Sequence, residues 1–377
     1  MPLITYLNRV HFGQNILPEA LVAECRELSI RRPLIVTDKG VAGAGLVTQV
    51  LDALPANVTP TVFDGTPENP TEKSCEEALR AYWENTCDSL IGLGGGSAMD
   101  LAKAVALMAS HDGPLSSYMA IEGGVASIMN VLPPLIAIPT TAGTGSEVGR
   151  GALIVLNDNR KLGALSPYLI PKAAICDPNL TVSMPRFLTA ATGMDALTHC
   201  VETYISRAIN PPADGIALEG LRRAARSIKR ATEHGDDIAA REEMMAAALN
   251  GALAFQKGLG AVHAMSHALG GLAGLKLHHG ALNAILLPHV LRFNKPVVGE
   301  RYAALNQAMG LDGDADTAAA IAELTADLNL PMKLSDLGVA DSHIEAAAPL
   351  AERDHTNQTN PRKATANDYS MLLRQAL

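Results

Sequence analysis

SLIGLGGGSAMDLAKAVAL, residues 89–107, sets an apolar run against a helical pattern with a string of glycines between them. Ser89–Leu93 reads as a strand, and Met99–Met108 carries apolar residues at helical spacing. Gly92, Gly94, Gly95 and Gly96 let the backbone turn sharply and come close to a ligand, and Ser97 sits where a helix would begin. Unpaired amides at a helix start favour a phosphate, so a pyrophosphate is the natural guest. Taken alone, the run fits a purely structural strand-to-helix turn equally well. It also departs from the usual dinucleotide fingerprint, with Ser97 where a last glycine is expected.

Working outward, three more apolar runs read as strands: Pro33–Thr37, one including Val62-Phe63, and Leu135–Ile138. Helical patterns lie between them, clearest at Cys75–Trp83. Strands alternating with helices predict a mostly parallel sheet covered on both faces. From about Met184 the texture becomes Ala-rich with helical periodicity, and strand-like runs almost vanish. The expected organisation is an α/β dinucleotide-binding domain over residues 1–183 and an all-helical domain over 184–377.

Hydrophobic residues make up 48% of the chain and aromatics only 3%, so the core must be aliphatic. The formal net charge of −9 argues against a nucleic-acid or anionic-membrane surface, since both reward a basic face. Five scattered cysteines without a CxxC pair suit reduced thiols. No signal peptide and no apolar run of membrane-spanning length is evident, so a cytoplasmic protein is expected.

A second loop strengthens the phosphate reading. PTTAGTGSE, residues 139–147, follows a strand and concentrates hydroxyls and glycines. It too has a plain alternative, because Ser, Thr and Gly dominate ordinary turns. Both loops fall at the carboxyl ends of strands, where α/β sheets bind ligands. Asp38 ends the first strand; it suits the ribose hydroxyls of NAD, or it simply caps the next helix.

The helical half carries a different chemistry. Asp195 and His199 are four apart and so share a helix face; His263 and His267 repeat that spacing, and His278 and His279 follow. Three imidazoles and a carboxylate make a ligand set for Fe²⁺ or Zn²⁺. A single histidine is more often a satisfied core residue, but four histidines within 263–279 beside the Asp195/His199 pair favour metal.

Together these motifs resemble the iron-containing (group III) alcohol dehydrogenases: TDKG at 37–40, PENPT at 67–71, GGGSAMDLAK at 94–103, IPTTAGTGSEV at 138–148, GMDALTHCVE at 193–202, GLGAVHAMSHALGG, HHGALNAILLPH, and NPRKAT at 360–365. The resemblance implies an NAD-linked, metal-dependent enzyme acting on a small alcohol or aldehyde, and a homodimer or higher homo-oligomer. It implies metal ligands Asp195, His199, His263 and His279, with Fe²⁺ or else Zn²⁺ as the ion. It places Asp38, Asn69, Gly95, Gly96, Ser97, Thr140, Thr141, Thr144, Lys161 and Leu180 against NAD. His267 would lie near the metal and the nicotinamide without being a ligand, in a proton-relay role. The segment before the last ligand is about two residues longer than is usual in the family, and the family's ligand follows a proline; His279 is preferred to His278 because it directly precedes Gly280.

Substrate is less legible. Arg150 and Lys257 could hold an anionic tail, as in 4-hydroxybutyrate or its semialdehyde, or they are surface or nucleotide-phosphate contacts. Gly151 hints at a roomy pocket. The rival readings are a glycerol dehydrogenase-like or maleylacetate reductase-like oxidoreductase. A silent scaffold is disfavoured by the intact loops and the intact Asp/His set.

Overall fold

The computed structural model describes residues 4, 6, 8–272 and 274–377. The chain divides into two compact units, one holding Tyr6–Thr141 and Ser146–Ser183, the other Ala142–Gly145 and Met184–Leu377.

In the α/β unit the strands are β1 (Val10–Phe12), β2 (Pro33–Val36), β3 (Thr61–Phe63), β4 (Ser89–Gly94), β5 (Leu135–Pro139), β6 (Gly151–Val155), β7 (Lys161–Leu165) and β8 (Ala173–Cys176). The helices are α1 (Leu17–Glu27), α2 (Lys39–Gly43), α3 (Leu46–Ala53), α4 (Glu72–Glu84) and α5 (Gly96–Met108). Six strands form one parallel sheet in the order β1-β8-β5-β4-β2-β3. The expected parallel α/β sheet is therefore present.

Its central strands are buried on both faces because their residues alternate between two cores. Leu34, Val36 and Leu90 pack with Ala78, Leu101 and Val105 from α4 and α5. Ile35, Ile91, Leu93, Ile136 and Ile138 pack with Leu17, Leu21, Leu46 and Val50 from α1 and α3. A one-residue slip would exchange these faces, so the register Ile35–Ile91–Ile136 is strongly specified.

Strand order reverses between β2 and β4: β3 lies on one side of β2 and β4 on the other. Ligands of open α/β sheets bind beyond the strand ends at such a switch point. Asp38 follows β2 there, and Gly95 follows β4. The sequence reading did not foresee β1, β8 or the antiparallel ribbon β6–β7. These strands are three to five residues long, too short for a periodic signal.

Lys103 of α5 is wholly buried and donates to Ser146 Oγ (2.8 Å) and to the carbonyls of Gly149 and Gly151 (both 2.9 Å). Burial pushes its ammonium down to about 8, against the pull of Asp100 and Glu147. Asp100, one turn earlier, accepts from Ser146 Oγ at 2.6 Å and from the Leu153 amide at 3.0 Å. This buried polar network ties α5 to the segment leading into β6.

The helical unit contains α6 (Arg186–Ile205), α7 (Pro211–Glu233), α8 (Ile238–Ala254), α9 (Ala261–Gly270), α10 (His279–Val298), α11 (Arg301–Ala308), α12 (Thr317–Asp327), α13 (Asp341–Arg353) and α14 (Ala366–Gln375). Helix α6 is buried along nearly its whole length, and a helix buried all round belongs at the centre of a bundle. Helices α7, α8 and α10 pack against it. No helix among the described residues is long and apolar enough to cross a membrane.

Candidate active site

Asp195 and His199 are one turn apart on α6, His263 lies in the first turn of α9, and His279 opens α10. One oxygen, Asp195 Oδ1, is 3.8 Å from His199 Nε2, 3.7 Å from His263 Nε2 and 3.6 Å from His279 Nε2. Asp195, His263 and His279 form the tightest group, with ligand atoms all within 4.8 Å of one another. The His199 ring stacks on that of His263, centroids 4.7 Å apart.

Ligand atoms about 2.1 Å from a tetrahedral cation lie ~3.4 Å from each other, so the three separations suit a shared ion. Direct hydrogen bonds would be shorter. Asn283, one turn after His279, adds its carboxamide nitrogen 2.7 Å from Asp195 Oδ1, while its own oxygen is buried without a hydrogen-bond partner. The same carboxamide nitrogen lies 3.2 Å from His279 Nε2 and 3.4 Å from His263 Nε2, so the lone-pair atoms of Asp195, His263 and His279 converge on one small volume, as a shared cation requires. His278 goes elsewhere: its ring packs edge-on against Phe187, centroids 5.6 Å apart.

The electrostatics follow from burial and partners. Burial works to raise the Asp195 pKa, but His199, His279 and His263 outweigh it and hold the carboxyl well below the usual range. For His199 burial wins, and the imidazole is pushed down to about 4. His263 is equally buried, yet its contacts with Asp195 and Glu202 overcome that and raise it to about 9.

Two carboxylates that the sequence reading did not assign hold histidines in place. Glu202 Oε2 meets His263 Nδ1 at 2.6 Å. Asp354 Oδ2 meets His267 Nδ1 at 3.1 Å. Burial opposes the Asp354 anion, but His267 and His355 hold its carboxyl well below the ordinary range. His267 lies beside the cluster, its ring 5.7 Å from His263 and 5.6 Å from His279 between centroids. Glu202 was legible in principle, since it sits two turns after Asp195 on the same helix face. Asp354 gave no comparable signal, because it reaches His267 from a segment 87 residues further along the chain.

In the α/β unit most of the residues expected around NAD come together. Asp38 caps α2, accepting from the amides of Gly40 (2.8 Å) and Val41 (3.0 Å) through Oδ1, so the capping reading holds for that oxygen. Its other oxygen points towards Gly94, and the Thr140 amide donates to the Gly94 carbonyl at 3.0 Å. Gly95 is the residue preceding α5, which starts at Gly96 rather than at Ser97. Thr141 faces Gly95, and its hydroxyl is buried with no hydrogen-bond partner. The Thr37 and Thr66 hydroxyls are likewise unpartnered. Orphaned hydroxyls around a glycine turn at the switch point fit a nucleotide. Lys161 donates to Asn69 at 2.8 Å, and the Ser97 hydroxyl donates to the neighbouring Glu68 carbonyl.

Two expected residues are placed by other contacts. Leu180 has its side chain in the core with Ile91 and Ile175. Thr144 belongs to the stretch Ala142–Gly145 that clusters with the helical unit. Lys257 requires a correction: it is neither an anion holder nor a surface contact. Its side chain is buried and pairs with Asp214 at 2.5 Å, also donating to the Tyr204 carbonyl at 3.1 Å. Arg150 is exposed.

Residues 8–178 match the family model for iron-containing alcohol dehydrogenase, and residues 189–377 match the model for the C-terminal part of the same family. The chain is 50% identical to a 4-hydroxybutyrate dehydrogenase of Cupriavidus necator, over the full length of both. Its fold superimposes on a crystal structure of 1,3-propanediol oxidoreductase with TM-score 0.94 and 36% identity, covering both chains completely. A sulfoacetaldehyde reductase from Bifidobacterium kashiwanohense, solved in complex with NAD⁺, gives TM-score 0.89 and 28% identity, covering 100% of this chain and 99% of that one. The chain belongs to the iron-containing alcohol dehydrogenase family.

Proposed function

We propose that the protein interconverts a small primary alcohol and its aldehyde with NAD(H), at a divalent cation held by Asp195, His199, His263 and His279. The observation carrying this reading is the placement of Asp195 Oδ1 between 3.6 and 3.8 Å from three imidazole nitrogens. When bound, the cation would supply Lewis-acid polarisation of an alcohol oxygen, and NAD would supply the hydride-accepting ring. The residues of the chain manage the proton. With Nδ1 of His267 committed to Asp354, Nε2 is left to take the alcohol proton, and the carboxylate stabilises the resulting imidazolium. Asp38, Asn69, Gly95, Gly96, Ser97, Thr140, Thr141 and Lys161 are proposed to seat the nucleotide. Thr144 and Leu180 are assigned on family resemblance only.

For substrate we favour an ω-hydroxy acid of the 4-hydroxybutyrate type. Two relatives support a negatively charged tail, one named for 4-hydroxybutyrate and one for sulfoacetaldehyde. With Lys257 paired internally, Arg150 is the remaining candidate for that tail. Five free, buried cysteines suit a cytoplasmic protein, and a homodimer or higher homo-oligomer completes the proposal. Metal-loaded protein should give NADH absorbance with 4-hydroxybutyrate, 1,3-propanediol and ethanol, with kcat/KM highest for the acid. Equal kcat/KM for all three would end the anionic-tail reading. His263→Ala should lose bound metal and turnover together, and full activity in that variant would end the metal reading.

A further inference from the structure

Glu202 is 1% exposed, an expensive place for a carboxylate unless its charge is met. It lies on α6 one turn past His199, and both of its oxygens reach into the start of α9. Oε1 accepts the Val262 amide at 2.7 Å. Oε2 accepts the His263 amide at 3.4 Å and the His263 ring at 2.6 Å. The approach depends on Gly260, where a Cβ would stand 2.9 Å from Oε1. Helix-opening amides and an imidazole N–H are thus what compensates this buried charge.

The contact dictates a tautomer. An ionised carboxylate only accepts, so Nδ1 of His263 must carry the proton. In the neutral ring, Nε2 then keeps its lone pair, and Nε2 is the atom facing Asp195 Oδ1 at 3.7 Å. Ring orientation, and the choice of Nε2 as the nitrogen facing the cation site, are therefore set by the chain itself. A carboxylate behind the imidazole also makes its far nitrogen a stronger donor.

We propose that Glu202 is a positioning residue of the metal centre, holding His263 as the Nδ1–H tautomer with Nε2 directed at the cation and strengthening it as a ligand. Glu202 itself touches neither cation nor substrate. The proposal rests on the metal reading of Asp195, His199, His263 and His279.

The test uses the full chain, stripped of metal and titrated with Zn²⁺ against a chromophoric chelator, in parallel with thermal melts of the metal-free forms. Glu202→Gln keeps the shape and removes the charge; its Zn²⁺ dissociation constant should rise roughly 10–100-fold. Activity should return at saturating metal, and Glu202→Asp should recover part of the affinity. An unchanged dissociation constant in Glu202→Gln overturns the proposal, whether or not the melting temperature falls. Should Glu202→Gln fail to fold, Glu202→Asp is judged instead, and wild-type affinity with the shortened side chain overturns it equally. His263→Ala separates the two readings. If it loses Zn²⁺ while Glu202→Gln binds normally, only the role of Glu202 fails; if it binds Zn²⁺ as tightly as wild type, the metal reading fails.

Discussion

His199 and His263 show how two buried imidazoles on the same carboxylate acquire opposite tendencies. His199 gains only Asp195 as a close carboxylate, and burial keeps it neutral; His263 gains a second one behind it. Asp354 meets Nδ1 of His267 as Glu202 meets Nδ1 of His263. Replacing Asp354 with Asn leaves Asp195, His199, His263 and His279 untouched but lets the His267 ring choose its tautomer. Steady-state assays should show kcat reduced by about 10²–10⁴-fold, with metal content by elemental analysis at the wild-type level. Loss of metal in that variant would refute a role confined to proton handling. At this scale the convergence of Asp195 with three histidines was legible, because paired Asp/His spacings on helices are rare and chemically specific. Of the carboxylates behind the rings, Glu202 shares the helix face of Asp195, whereas Asp354 left no signal, since a lone Asp in sequence is nearly always a solvated surface residue. Lys257 failed for the complementary reason: nothing local announces that Asp214 will reach it.

At the level of elements, the first turn of α10 fixes where His279 stands. Gly280 lies so close to α6 that a Cβ there would be 2.0 Å from the Ala191 carbonyl oxygen. Gly280→Ala must therefore push α10 away from α6 and carry His279 with it. Overpacking of this kind costs about 1–3 kcal/mol, so denaturant unfolding should show lowered stability and metal titration weakened affinity. An unchanged metal affinity would mean that His279 is placed by something other than this contact. The strand–glycine–helix unit at β4–α5 was readable because its apolar run, turn and helical period fall within some twenty contiguous residues. The β6–β7 ribbon was not, since its definition comes partly from packing on α5, seen in Asp100 accepting from Leu153.

For the whole molecule, the alternation of strand and helix, then helix alone, was enough to give the class of each part. Strand order was not legible: parallel neighbours are chosen by long-range packing, and the reversal at β2/β4 leaves no local trace. The two units make separable predictions. On the proposed assignment, stripping metal would release four side chains of the helical unit and none of the α/β residues assigned to NAD. Saturation at a hundred times the dissociation constant contributes about 2.7 kcal/mol, or roughly 5–10 °C for a unit of this size. Calorimetry should show that downward shift on chelation, reversed by Zn²⁺ or Fe²⁺. NADH binding followed by fluorescence should survive, and its loss on chelation would tie the nucleotide to the cation more closely than proposed.

Asp195, His199 and Glu202 share one rigid helix, and this constrains how the gene can change. A single inserted codon between them would swing every later side chain by about 100° around the axis, so this span tolerates exchange of residues but not a change of length. The connection from α9 to α10 bears no such restriction, because His279 is aimed by the helix that begins with it. Length variation among homologues should therefore gather in that connection, and a two-residue extension there leaves the chemistry intact.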